Sequence, residues 1–141
     1  MNVAVVLTGH MRCWEQVYPN FKEHIVDRYN PDVFIHTWGD EAYWDPHSEA
    51  GIVDDAPMIN NEEIIKTYNP VDFVVEDYED YKEDFAKRAE FYKNFYHVPK
   101  NIISMLYKLG SGMLMLEDHM FKTGKQYFFF RFFTSRLANH F

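Results

Sequence analysis

Apolar residues along this chain follow two rhythms. Val3-Ala4-Val5-Val6-Leu7 is short, unbroken and rich in β-branched residues, which predicts a strand buried on both faces, as in a parallel sheet. From about Cys13 to Tyr29 the rhythm changes. Trp14, Val17, Phe21, Ile25 and Tyr29 recur at steps of three and four, one face of a helix. Pro19 lies inside this stretch and predicts a start or a kink there, because proline lacks the N–H that helix bonding needs. Asn30-Pro31 closes it. Asp32-Val-Phe-Ile-His-Thr-Trp38 reads as a second strand, and strand, helix, strand over so few residues predicts a parallel pair.

Gly39 to Asn61 carries mixed charge, two prolines and the aromatic pair Tyr43 and Trp44, and reads as a long loop. Glu62 to Tyr68 predicts a short helix and Val71 to Val75 a third strand. The acidic stretch Glu76 to Glu90 reads as a solvated face or mobile loop. Pro99 to Lys122 predicts a long helix whose apolar face is Ile102, Leu106, Leu109, Met113, Leu116 and Met120. Gly110 and Gly112 allow it to approach the sheet closely, and Gly124 ends it. Tyr127 to Phe133 is the last predicted strand. The sum is an α/β domain, residues 1–141, with three layers and a mostly parallel sheet. Val3–Leu7, Val33–His36 and Val71–Val75 should be neighbours, with Tyr127–Phe132 joining them. Ligands of such sheets bind at the carboxyl ends of strands.

Composition narrows the choice of partners. Aromatic residues make up 18% of the chain, which argues against disorder. The net charge of −8 argues against a nucleic-acid backbone or anionic membrane as partner. A diphosphate remains a suitable ligand, because one basic side chain and a few backbone N–H groups can hold it. Cys13 is the single cysteine; it has no partners for nucleophilic work and is expected to pack in the core. No apolar run approaches the ~18 residues of a membrane helix. The initial apolar run is too short, and lacks the basic leader, for a signal peptide. The expected location is cytoplasmic.

Two segments follow the first two strands and offer chemistry. In Thr8-Gly9-His10-Met11-Arg12, glycine permits a sharp turn and Arg12 can pair with a phosphate; the alternative is an ordinary turn with a solvated arginine. In His36-Thr37-Trp38-Gly39-Asp40, Trp38 can stack on a nucleobase and Asp40 can accept from a ribose hydroxyl; the alternative is a core tryptophan and a satisfied buried histidine. His97 and His119 read as surface or capping residues.

Together these segments carry a resemblance. Val-Val-Leu-Thr-Gly-His-Met-Arg, Tyr18-Pro19-x-Phe21 and Asp32-Val-Phe-Ile-His-Thr-Trp38 are similar to the opening of a glycosyltransferase-like family of large DNA viruses, phages and bacterial polysaccharide loci. Asn101, Ser104, Met105, Tyr107-Lys108 and then Tyr127-Phe-Phe-Phe-Arg131 continue it more weakly. The resemblance spans the whole chain but about the first half of a typical member. It implies a GT-A-like, Rossmann-like fold, a nucleotide-sugar donor, a glycan or protein acceptor, and manganese or magnesium in a complete member. If the source is viral, it implies the host cytoplasm. Thr8, Gly9, Arg12, His36, Trp38 and Asp40 are the donor-binding residues that it suggests.

The chain departs from that pattern after its last strand. Family members carry an aspartate for the metal there, whereas this chain reads Arg131-Phe132-Phe133-Thr134-Ser135-Arg136, and no Asp-x-Asp occurs anywhere. The expectation is therefore an incomplete or inactive transferase with no assigned catalytic residue or metal ligand. The alternative is a non-catalytic nucleotide-binding or interaction module, self-associating through an exposed aromatic edge.

Overall fold

The structure, a computed structural model, describes residues 1–40, 57–92, 94 and 99–134. The elements in chain order are β1 (Val3–Gly9), α1 (Trp14–Phe21), a π-helical segment (Lys22–Val26), α2 (Asp27–Tyr29) and β2 (Asp32–Trp38). Next come α3 (Asn61–Tyr68), β3 (Asp72–Glu76), α4 (Glu79–Tyr92), α5 (Pro99–Thr123) and β4 (Phe129–Thr134). The four strands form one sheet in the order β3-β2-β1-β4. Every pairing is parallel, with Val5 opposite Val33 and Arg131, and Phe34 opposite Asp72. The predicted strand set and its parallel sense both hold.

Alternation along the strands sorts side chains to two faces. Val5, Leu7, Val33 and Ile35 pack with Met11, Trp14, Phe21, Ile64 and Tyr68, from α1, α3 and the turn before α1. Ala4, Val6 and Phe34 pack on the other face with Met115, Leu116 and Tyr127. Helices thus cover both faces, which is why β1 is apolar without interruption.

The first helix keeps a continuous path past Pro19, and its backbone shifts to π-helical winding at Lys22–Val26. A proline inside a helix removes one backbone bond, and local rewinding accommodates the loss. Asn30 ends α2 in a left-handed conformation, φ 42°. Asn60 caps α3, its side-chain oxygen accepting from the Glu63 N–H at 3.2 Å.

Three expectations need correction. The acidic stretch folds as α4, with exposed Lys87–Glu83 and Arg88–Asp84 pairs one turn apart. Its solvated face is as expected, but Phe85, 2% exposed, anchors the helix. The residues of α5 buried against the sheet are Ser104, Lys108, Gly112, Met115 and Leu116. The predicted apolar stripe meets the sheet only through Leu116 and Met120; nearer the start of the helix the contact passes to Ser104, Lys108 and Gly112, with Leu106 57% exposed. Close approach is the reason: a Cβ on Gly112 would lie 2.6 Å from Thr8 Cγ2 and 2.9 Å from Val6 Cγ1. Gly110 meets no such neighbour. Cys13, expected in the core, is exposed; it sits before α1 with φ 50°. Most of the predicted loop, with Tyr43 and Trp44, lies outside the described residues, as do His97 and Ser135. Among the described residues no helix is long and apolar enough to cross a membrane.

Candidate functional site

The order β3-β2-β1-β4 reverses at β1: the chain moves outward from β1 through β2 to β3, then returns to the other side of β1. At such a reversal the connections leave in opposite directions and open a crevice at the carboxyl ends of the strands. The turn after β1 lies there. Gly9 has φ 99°, a conformation that side-chain-bearing residues rarely adopt. It is followed by His10, Met11 and Arg12, and Met11 is buried in the core below.

His10 joins this turn to the end of β2. Its Nδ1 lies 3.1 Å from both the backbone oxygen and the side-chain Oδ1 of Asp40. Both partners are acceptors, so Nδ1 carries the proton. The ring packs against Trp38 and Tyr78, at centroid separations of 6.2 and 6.4 Å. One residue thus gathers the carboxyl ends of β1, β2 and β3.

Beneath this surface lies a second, buried cluster centred on Lys108 of α5. Lys108 is wholly buried. Its ammonium donates to the Thr37 carbonyl at 3.0 Å, to Glu76 Oε1 at 3.0 Å and to His36 Nδ1 at 3.1 Å. It also lies 3.7 Å from the centre of the Trp38 ring, a cation–π contact strengthened by exclusion of water. All three ammonium donors are used. Glu76 additionally accepts from Tyr107 at 2.8 Å and from Tyr81. His36 Nε2 lies 3.2 Å from Glu76 Oε1. With Nδ1 accepting from Lys108, the histidine is neutral and donates through Nε2.

Protonation follows from this environment. Burial, reinforced by the Lys108 charge, lowers His36 from 6.5 to about 4. Burial also lowers Lys108 to about 8, against the opposing pull of Glu76. Burial alone would raise Glu76, but hydrogen bonds from Tyr81, Lys108 and Tyr107 outweigh it and hold the carboxyl below its ordinary range. At neutral pH the cluster is therefore a carboxylate, an ammonium and a neutral imidazole.

The six sequence-derived candidates divide into two levels. Gly9, Arg12 and Asp40 lie partly exposed at the carboxyl edge. Thr8, His36 and Trp38 are buried below it, at 4%, 7% and 1% exposure. Trp38 is packed among Tyr78, Tyr81, Phe85 and Tyr107, so in this arrangement it offers no open face to a nucleobase. His36 is the satisfied buried histidine of the plainer alternative. Thr8 and His36 are register partners on the α5 side of the sheet. The Thr8 hydroxyl is buried and, among the described residues, meets no hydrogen-bond partner.

The sequence-derived site residues leave out His10, Glu76 and Lys108, although His10 stands in the turn segment and Lys108 in the resemblance. The available signals were a carboxylate at the end of the third strand and a lysine at the centre of an apolar helix. Among the described residues no group of three or more histidine, cysteine, aspartate or glutamate side chains is arranged to hold a metal ion. Compared with models of protein families, with characterised proteins and with solved structures, the chain matches none.

Proposed function

We propose that this chain binds a nucleoside-diphosphate sugar at the carboxyl edge of its sheet, as part of a glycosyltransferase-like protein of Rossmann-like, GT-A-like fold. The observation that carries this reading is the strand-order reversal at β1, with the Gly9–Arg12 turn placed at it. Gly9 lets the backbone approach a diphosphate, and the Arg12 guanidinium can pair with its oxygens in parallel. Asp40 and His10 border the same edge. The buried Lys108 cluster acts from below by fixing the end of β2. A cytoplasmic setting belongs to the same proposal.

The transfer step needs the diphosphate charge neutralised as it leaves. Where the resemblance expects an aspartate, the sequence has Thr134, the last residue of β4, and then Ser135, and neutral hydroxyls are poor ligands for a divalent cation. The proposed role of Gly9 and Arg12 is therefore donor binding, with the Arg12 guanidinium rather than a metal ion set against the diphosphate charge. The discriminating experiment is a thermal-shift panel of UDP- and GDP-sugars, with and without manganese. A rise in melting temperature with one nucleotide class supports the proposal; no shift with any member removes it.

A second reading, an interaction module, is favoured by a separate observation. Leu106, Leu114 and Phe121 on α5 are 57%, 66% and 91% exposed, and Phe91 on α4 is 76% exposed. Large exposed apolar side chains on the neighbouring helices α4 and α5 favour a contact surface there. Sedimentation analysis across a concentration series separates a self-associating chain from a monomer.

A further inference from the structure

Beyond its structural contact, the His10–Asp40 pair has the form of a working dyad. Asp40 Oδ1 and the Asp40 carbonyl both accept a hydrogen bond from Nδ1–H, each at 3.1 Å. This fixes one tautomer, in which Nε2 carries the lone pair. Among the described residues Nε2 has no hydrogen-bond partner, and it is not among the buried unpaired atoms. The ring packs at a tilt against Trp38 and Tyr78, and its side chain is 18% exposed. A carboxylate behind an imidazole orients it and stabilises the imidazolium formed when Nε2 takes a proton. The pair stands at the carboxyl ends of two adjacent parallel strands, where ligands of such sheets bind.

We propose that His10, oriented by Asp40, is a proton acceptor for a sugar hydroxyl bound at this edge. The Nε2 lone pair takes the hydroxyl proton, and Asp40 balances the imidazolium charge through Nδ1–H. The freed oxygen pair forms a bond to the anomeric carbon of a nucleotide-sugar. The bond from that carbon to the diphosphate oxygen breaks, and its electron pair departs with the diphosphate, whose charge faces the Arg12 guanidinium of the same turn. The identity of the electrophile rests on the reading of the preceding section; the dyad does not. Glu76 and His36 cannot take this role, because Lys108 occupies them from within the core.

The test uses the full chain and diethyl pyrocarbonate, which acylates unprotonated imidazole nitrogen. Nitrogen-15 spectra should show His10 protonated at Nδ1 only. Mass spectrometry should find His10 acylated faster than the more exposed His24, although His10 is the less accessible of the two. Asp40→Asn keeps an acceptor for Nδ1–H but removes the charge. With an unchanged melting temperature it should slow His10 acylation to the His24 rate or below. An Nε2-protonated His10, or an Asp40→Asn rate equal to the parent's, overturns the proposal. UDP-glucose and GDP-mannose serve as protecting probes. Fast, Asp40-dependent acylation that neither probe slows supports the dyad and removes the nucleotide-sugar reading alone.

Discussion

The two ends of the sheet carry the same three chemical groups with opposite solvation. At the amino end, Asp32 of β2 accepts from Lys125 and Tyr127, each at 2.5 Å, and the lysine side chain is 39% exposed. At the carboxyl end, Glu76 accepts from Lys108, Tyr107 and Tyr81, and the lysine is wholly buried. The first cluster is a clasp tying the start of β2 to the segment before β4, and water shares its charges. The second takes an ammonium out of water, which is repaid only by near-complete hydrogen bonding. Tying two strands together does not require that cost, as the amino-end clasp demonstrates. The buried cluster instead fixes the backbone of Thr37 and the ring of Trp38, and through them the position of Asp40 and His10 on the surface above.

The contrast makes graded predictions. The largest effect belongs to Glu76→Gln, which strands the Lys108 charge in the core. It should cost ~3–5 kcal/mol in urea unfolding, and adding Lys108→Met should recover most of the loss. A cost equal to that of the amino-end clasp would erase the distinction between the two ends.

Next comes pH. His36 is neutral in the fold with its pKa lowered to about 4 from 6.5. The unfolded chain therefore binds the extra proton between these values, and stability is lost as pH falls from 6.5 towards 4. The loss is on the order of 3 kcal/mol, and His36→Gln should flatten that window in urea midpoints measured against pH. Glu76, held below its ordinary 4.5, contributes at lower pH.

The smallest effect belongs to Asp32→Asn at the exposed clasp, about 0.2–1 kcal/mol and weaker at high salt. Thermal unfolding at two ionic strengths checks it. Burial raises the Asp32 pKa, but hydrogen bonds from Lys125 and Tyr127 bring it below 3.8 overall. Its stabilisation is therefore lost only in acid, as pH falls below that value.

What the sequence made legible follows the same division. β1 and β2 were readable because strands covered on both faces must be apolar throughout, and the turn residues around them punctuate clearly. The switch-point turn was readable for the same reason, through Gly9 and Arg12. α4 was obscured because Phe85 is its only buried residue and charges fill the rest. The sheet-facing side of α5 was legible at Leu116 and Met120 but obscured nearer its start, where close packing uses Ser104, Lys108 and Gly112, which carry no hydrophobic signal. The Lys108–Glu76 and His10–Asp40 pairs join residues 32 and 30 positions apart. No local pattern encodes them; they exist only once the parallel register sets the strand ends side by side.

The proposed binding of a nucleoside diphosphate at the carboxyl edge, through the turn after β1, can be decided by one titration. Calorimetry of UDP and GDP against the full chain and against Arg12→Ala compares the charged pairing with its absence. The expected result is saturable binding of one nucleotide, weakened by about 1.5–3 kcal/mol in the variant, the range for hydrogen bonds to charged groups. Binding of equal affinity in both proteins, or no binding to the parent, would contradict it.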